Sequence, residues 1–245
     1  MEKILKYSVL RYSPSIVSGE SINLGILYSD EATGFHSFRF THRLNRVLQF
    51  DDTLSKEKLL NILEGIETTV SEQKDDFDID KYIKYYINSY RFERTQHILY
   101  DDLEKTMEEL YAMFFRFDYA KEERPSRNKD MEMMSRILKS SGKNVKKNTV
   151  VQGCFEDKVK YDFVLGDCYI KLFDYDGKSL SRSINSAKTW AWNAMHEKKK
   201  VYIIFRYNED ELSLADFRII ERIFKDANCE FCSIENSQKL FSKVE

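Results

Sequence analysis

The stretch "KYDFVLGDCYIKLF", residues Lys160–Phe173, decides the fold of the second half of the chain because it predicts a β-hairpin. Two runs rich in β-branched and aromatic residues flank the pair Gly166–Asp167, which suits a two-residue turn. With that turn, Leu165 faces Cys168, and the register of the whole hairpin follows by counting outward.

This register places Asp162 directly across from Lys171 on neighbouring antiparallel strands. Because side chains alternate along a strand, one face carries both charged residues with Val164 and Tyr169. The opposite face is uniformly apolar, and its members are Tyr161, Phe163, Leu165, Cys168, Ile170 and Leu172. The apolar pattern therefore supports the pairing that the turn predicts.

Around the hairpin, periodicity predicts the order αβββαβαβ for the second half of the chain. The other elements of this order are a helix at 131–140, a strand at 149–155, a helix at 180–195, a strand at 201–207, a helix at 214–227 and a strand at 230–234.

The first half opens with alternating segments that predict an antiparallel meander, at Lys6–Tyr12, Ile22–Tyr28 and Phe35–Phe40. Three helices are expected to follow, the first capped by Ser55 and the third beginning near Asp101. The second is expected at about 79–90, and its tyrosines at helical spacing are typical of an amphipathic core face.

Residues 119–130, "YAKEERPSRNKD", are polar and charged and include one of the two prolines, which predicts a linker. We therefore expect two domains, 1–118 and 131–245, in an α+β protein. The first is an antiparallel sheet with helices, and the second is the α/β arrangement around the hairpin.

Composition indicates a globular protein, since 42% of residues are hydrophobic and the chain has 17 Phe and 15 Tyr. Residues 1–118 contain 15 Lys and Arg against 21 Asp and Glu, a net charge of −6, whereas residues 119–245 contain 24 against 20, a net charge of +4. A mildly basic second half can face a phosphate backbone.

The N-terminus lacks the pattern of a signal peptide, and no apolar run is long enough for a membrane helix, so a cytoplasmic protein is expected. All four cysteines lie in the second half, and reduced thiols are expected there. One pair is spaced as CxxC but has no second such pair, which favours buried thiols over a zinc site.

The stretch "RYSPSIVSGESINLGILY", residues Arg11–Tyr28, resembles the signature of a bacterial family known as domain of unknown function 3037. Its members begin with a strand, Arg-Tyr-x-Pro, then Gly-Glu-x-x-Asn-x-Gly and a second strand. Glycines suit turns or close approaches, and the polar members suit backbone capping, a pair between Arg11 and Glu20, or a partner site. The matching residues are Arg11, Tyr12, Pro14, Gly19, Glu20, Asn23 and Gly25.

The order of elements from residue 131 is similar to the αβββαβ core of PD-(D/E)XK nucleases. That resemblance implies a Mg²⁺ site built from Asp162 on the second strand and an acidic residue two before Lys171 on the third. Here that position is Tyr169, and a protonated phenol is a poor ligand for a hard cation. Glu132 on the preceding helix is the first candidate for the missing ligand.

Basic residues predict where nucleic acid would bind in this half of the chain. Trp192, on the helix before a run of lysines, can stack on a base or on a partner's arginine. The basic candidates are Lys139, Lys143, Lys146, Lys147, Lys188, Lys198, Lys199 and Lys200.

Together these patterns predict a nucleic-acid-associated protein of bacterial or phage genome defence or counter-defence, with a catalytically degenerate nuclease-like domain. If it is an enzyme, it is expected to be a Mg²⁺-dependent nuclease; otherwise no cofactor is expected. The alternative is a protein-binding inhibitor or adaptor that does not contact nucleic acid.

Overall fold

The computed structural model describes residues 3–15, 20–73, 77–140, 142–175, 179–207, 212–227 and 229–244. The chain forms two compact units, Met1–Gly142 and Lys143–Val244. Both combine a β-sheet with α-helices, which confirms the α+β class predicted from the sequence. None of the described helices is long and apolar enough to cross a membrane.

The sheet of the first unit has β1 (Lys3–Tyr12) near its centre. On one side β1 pairs antiparallel with β2 (Ile22–Asp30), which pairs with β3 (Phe35–Phe40), so the predicted meander is confirmed. On the other side it pairs with β4 (Tyr90–Phe92) and β5 (Gln96–Tyr100), two strands that the sequence pattern did not indicate.

The helices described in this unit are α1 (Leu44–Phe50), α2 (Lys56–Ser71), α3 (Ile79–Tyr82), α4 (Leu103–Phe114) and α5 (Arg127–Ser140). Side-chain oxygens cap α2, α3 and α4 at their N-termini, and Asp78 is the cap of α3. The other two caps lie at or near a capping residue predicted from the sequence. Ser55 accepts a hydrogen bond from the backbone N–H of Lys58, and Asp102 accepts one from that of Lys105. The Ser55 cap is the predicted one, and the Asp102 cap lies one residue beyond the predicted start.

The helix predicted at 79–90 is wrong beyond its first turn. Helix α3 ends at Tyr82, a 3₁₀ turn follows, and the chain then enters β4. Tyr82 and Tyr86 pack against Phe92 of that strand, with Phe92 5.0 Å from the Tyr86 ring. Strand pairing with β1 and this aromatic contact outweigh the helical spacing of the tyrosines.

The division between the units lies after Gly142, not in the linker predicted at 119–130. Helix α5 starts at Arg127, and Asp130 is completely buried beside Arg116, 3.6 Å away. Further along α5, the Arg136 Nε donates a hydrogen bond to the Leu99 carbonyl at 2.9 Å. Asp130 is therefore buried and paired within the first unit, although the sequence pattern indicated a charge facing solvent. Other charged residues of the stretch are exposed, namely Lys121, Glu122, Glu123 and Lys129.

The sheet of the second unit contains β6 (Val145–Gln152), β7 (Lys158–Leu165), β8 (Cys168–Asp174), β9 (Lys200–Arg206) and β10 (Glu230–Ser233). The strands lie in the order β10-β9-β8-β7-β6. Strands β6, β7 and β8 are antiparallel neighbours, and β8, β9 and β10 are parallel.

Helices α6 (Leu180–His196) and α7 (Leu214–Asp226) connect the parallel strands, and α8 (Gln238–Val244) follows β10. One face of the sheet packs against α6, where Ala187 and Ala191 join the same buried cluster as Val159 and Tyr161 of β7. The strand, helix and strand order from β6 to β9 is the predicted one, but the helix predicted to precede it, α5, belongs to the first unit.

Candidate functional site

The β7–β8 hairpin has the register that the sequence predicts. Leu165 pairs with Cys168 across a two-residue turn, and Val164 pairs with Tyr169. Gly166 of the turn has a φ of 45°, a left-handed conformation that favours glycine. Strands β7 and β8 therefore bring Asp162 and Lys171 together.

Asp162 and Lys171 form a buried ion pair. The Lys171 Nζ lies 3.3 Å from the Asp162 Oδ2, and the two side chains are 16% and 4% exposed, respectively. The same carboxylate oxygen accepts a hydrogen bond of 2.8 Å from the backbone N–H of Leu172. The ammonium also lies 4.5 Å above the Trp190 ring. These contacts hold the two β-strands and α6 together.

Two tyrosines occupy the space beside this ion pair. The rings of Tyr161 and Tyr169 stack with centroids 4.4 Å apart, and the Tyr161 hydroxyl donates to the Glu197 Oε1 at 3.1 Å. Burial raises the pKa of both phenols, so both stay protonated at neutral pH. Tyr169, at the position of the second carboxylate in the nuclease pattern, supplies no anionic oxygen.

The stacking corrects the prediction that Tyr161 and Tyr169 lie on opposite faces of the hairpin. Strict alternation fails near Asp162, where the position opposite on β6 is Asn148, with a φ of 50°. Regular pairs between β6 and β7 flank this position on both sides. The local distortion therefore lies at the point where the side chains of β7 change from one face of the sheet to the other.

The described residues do not fit a Mg²⁺ site. Glu132, the first candidate for the missing ligand, is an exposed residue of α5 in the first unit, while Asp162 lies in the second. Within the described ranges no group of three or more His, Cys, Asp and Glu side chains is placed to hold a metal ion. The carboxylate of Asp162 instead contacts an ammonium and a backbone N–H.

The predicted basic residues fall in several places. Lys139 is in α5 of the first unit, whereas the others belong to the second. Lys199 donates a hydrogen bond of 2.6 Å to the Gly166 carbonyl, and Lys200 forms an ion pair with Glu230 at 3.0 Å. The other predicted lysines of the second unit, which are Lys143, Lys146, Lys147, Lys188 and Lys198, are exposed.

Within β7 and α6, three further exposed cations were not predicted from the sequence: Lys158 and Lys160 on β7, and Arg182 on α6. The two lysines alternate with the buried Val159 and Tyr161, so their spacing was the signal that could have revealed an exposed, basic side of this strand. Within β6, β7 and α6, all of whose residues are described, each exposed Lys, Arg, Asp or Glu is a cation, and the one carboxylate is the buried Asp162. Because Val159 and Tyr161 pack toward α6, Lys158 and Lys160 point away from it, so the cations of α6 lie apart from those of β7. We call the exposed cations of β6 and β7 the basic surface; its members are Lys146, Lys147, Lys158 and Lys160.

Trp192, the predicted stacking residue, is already stacked within the protein. Its ring lies parallel to that of Phe155, with centroids 4.7 Å apart and planes 6° apart. It also stacks on His196 at 4.0 Å. The exposed residues of this group are therefore Phe155 and His196, and neither was predicted from the sequence to stack.

The motif of the first unit has structural contacts. Buried Arg11 forms an ion pair with Glu93 at 3.3 Å and donates to the Ser21 hydroxyl. Asn23 donates to the Phe114 carbonyl at the end of α4, at 3.2 Å. Glu20 is exposed, so a buried Arg11–Glu20 pair is wrong, and Gly19 lies outside the described residues.

These contacts hold together strands and helices of the first unit, the part of the chain that a family comparison matches. Residues 7–115 match the family described as "Protein of unknown function (DUF3037)". The match contains the motif residues Arg11, Glu20 and Asn23. No curated protein and no solved structure matches the chain.

Within the DUF3037 match, Gly25 has little room for a side chain. A Cβ at this position would lie 2.7 Å from the Phe38 Cε2 and 2.9 Å from the Arg39 carbonyl oxygen. We expect Gly25→Ala to lower the free energy of unfolding by about 1–3 kcal/mol, measured by urea denaturation.

Gly65→Ala is the matched control for Gly25→Ala, because nothing lies within 4 Å of a Cβ added at this exposed position of α2. This substitution should raise stability by about 0.5–1 kcal/mol. Equal effects of the two substitutions would contradict the close approach at Gly25.

Proposed function

We propose that the protein binds nucleic acid through the basic surface of its second unit and does not cleave it. The observation that carries the proposal is the segregation of charge: the exposed Lys, Arg, Asp and Glu residues of β6 and β7 are all cations. Contacts from lysine and arginine to phosphate are the main source of affinity for nucleic acid.

The arrangement of the second unit supports a nuclease-like ancestry for this surface. Three antiparallel strands are followed by a helix and a parallel strand, with Asp162 and Lys171 on the second and third strands. The chemistry of cleavage is not supported, because Tyr169 replaces a carboxylate and Asp162 is bound to Lys171 and Leu172. A role in bacterial or phage genome defence or counter-defence is the part of the proposal that rests on this resemblance.

A protein-binding adaptor is the second candidate, favoured by exposed apolar side chains on the first unit. Tyr85 is 83% exposed and Ile87 is 70% exposed, and the two lie close in sequence beside β4. Exposed apolar side chains that form a contiguous patch are typical of protein contact sites. This candidate predicts no salt-dependent affinity for an oligonucleotide.

The proposal predicts that neutralising the exposed lysines of β6 and β7 weakens binding to nucleic acid and reduces the dependence of that binding on salt. The variant replaces the four members of the basic surface by Gln: Lys146, Lys147, Lys158 and Lys160. If each contacts a phosphate, the slope of log K against log salt should fall in magnitude by roughly 3 to 4. Fluorescence anisotropy of a labelled oligonucleotide, titrated at several salt concentrations, measures both quantities.

The matched control replaces four exposed lysines of the first unit by Gln, at Lys56, Lys58, Lys84 and Lys105. It changes the net charge equally but leaves the basic surface intact. An equal loss of affinity in both variants would indicate a general effect of net charge and would contradict the proposed surface. Absence of binding by the unmodified protein at low salt would reject the proposal altogether.

A further inference from the structure

The turn between β6 and β7 presents an aromatic ring to solvent. The Phe155 side chain is 75% exposed although its ring is stacked in parallel on Trp192. The turn is closed by hydrogen bonds from the Gly153 N–H to the Asp157 carbonyl at 2.8 Å and from the Glu156 N–H to the Gly153 carbonyl at 3.1 Å. The exposed ring therefore lies on a hydrogen-bonded support.

Helix α6 fixes the other side of the stack. Trp192 and His196 are one helical turn apart, their rings are 4.0 Å apart, and the His196 Nδ1 lies 2.8 Å from the Trp192 carbonyl oxygen. A ring that only filled the core would be buried, whereas Phe155 contributes most of its area to the surface. An exposed aromatic ring with a fixed orientation can extend its stack with one further flat group.

The exposed cations of the strands that flank this turn favour a nucleic-acid base over a protein side chain as that group. Lys188 is exposed one turn before Trp192 on α6, and Lys158 follows the turn. The neighbouring carboxylates are Glu156 and Asp157, and the Asp157 Oδ1 lies beside Gly153 within the turn. Glu156 and Asp157 are themselves exposed, so the match to a polyanion with flat, uncharged rings comes from β6 and β7, whose exposed charged residues are all cations.

We propose that Phe155 is a stacking platform for an unpaired base, so that the second unit prefers single-stranded to double-stranded nucleic acid. The inference rests on the proposed function and specifies its substrate class. In a duplex each base is covered by its neighbours in the stack, whereas a single strand exposes base faces to an aromatic side chain. Phosphates of the strand are contacted by the basic surface.

The test compares Phe155→Ala and Phe155→Trp with the unmodified protein on three probes: a short oligothymidylate, a duplex of equal length and an abasic strand with the same backbone. Phe155→Ala should weaken oligothymidylate binding by about tenfold. Its affinity for the duplex and the abasic strand should be unchanged, and Phe155→Trp should retain the binding. Tyr85→Ala, which removes another exposed aromatic ring, is the matched control.

The possible results separate the two proposals. If the four-lysine variant loses affinity but Phe155→Ala binds oligothymidylate like the unmodified protein, the basic surface stands and the stacking platform is rejected. Equal losses on all three probes would also reject the platform, since the abasic strand has no base to stack. If the unmodified protein binds none of the probes, both proposals are rejected.

Discussion

Replacement of Asp130 by Ala is expected to lower the free energy of unfolding by about 3–5 kcal/mol. The carboxylate is completely buried 3.6 Å from the Arg116 guanidinium, whose side chain is 6% exposed. Removing one partner of a buried ion pair leaves the other charge in a medium of low polarity, and that loss exceeds the strength of the pair itself. Urea denaturation of the full chain measures the change.

Glu132→Ala provides the matched control, since Glu132 is an exposed carboxylate on the same helix. Its removal should change stability by less than about 0.5 kcal/mol. The double variant Asp130→Ala with Arg116→Met should recover part of the loss, because it removes both charges. Similar small effects of Asp130→Ala and Glu132→Ala would show that 119–130 behaves as the linker predicted from the sequence.

The second large effect is expected at Asp162. Asp162→Ala removes the partner of Lys171 and the acceptor for the Leu172 N–H, and we expect a loss of about 3 kcal/mol in the free energy of unfolding. An exposed ion pair would contribute at most about 1 kcal/mol. Asp162→Asn retains an acceptor oxygen and should lose less stability than the Ala variant.

Asp167→Ala is the control for this hairpin because that side chain is exposed in the turn, and a change within about 0.5 kcal/mol is expected. Cleavage of single- and double-stranded DNA and RNA should be assayed on the same proteins with Mg²⁺ and Mn²⁺. We expect no cleavage that depends on Asp162. Robust cleavage by the unmodified protein that Asp162→Asn abolishes would overturn the structural role of this carboxylate.

The register of the hairpin could be predicted from the sequence because it depends on local rules. A two-residue turn at Gly166–Asp167 and a period of two in the apolar residues allow one pairing, and that pairing is observed. The face of Tyr161 could not be predicted, because the distortion at Asn148 lies on a different strand. Likewise, the amino-acid pattern does not show that Phe155, in the turn between β6 and β7, stacks on Trp192 of α6.

The linker and the tyrosine helix were mispredicted for a common reason. Local composition indicates the structure that a segment prefers in isolation. The positions of Asp130 and Tyr86, however, depend on partners that are distant in sequence or belong to another element. A charged residue is normally exposed, and only knowledge of Arg116 as its partner makes a buried Asp130 expected. The candidate site shows the same limit, since Glu132 was assigned to a unit in which it does not lie.

The position of β1 in its sheet has a consequence for the order in which the chain folds during synthesis. One edge of β1 is covered by β2, which emerges from the ribosome soon afterwards, but Lys3 on the other edge pairs with Tyr100. Until that distant segment has been translated, the nascent sheet has an unpaired edge open to other chains. Closure of this edge is a contact of long sequence separation, so slow translation before β5 should favour aggregation of the nascent chain over completion of the sheet.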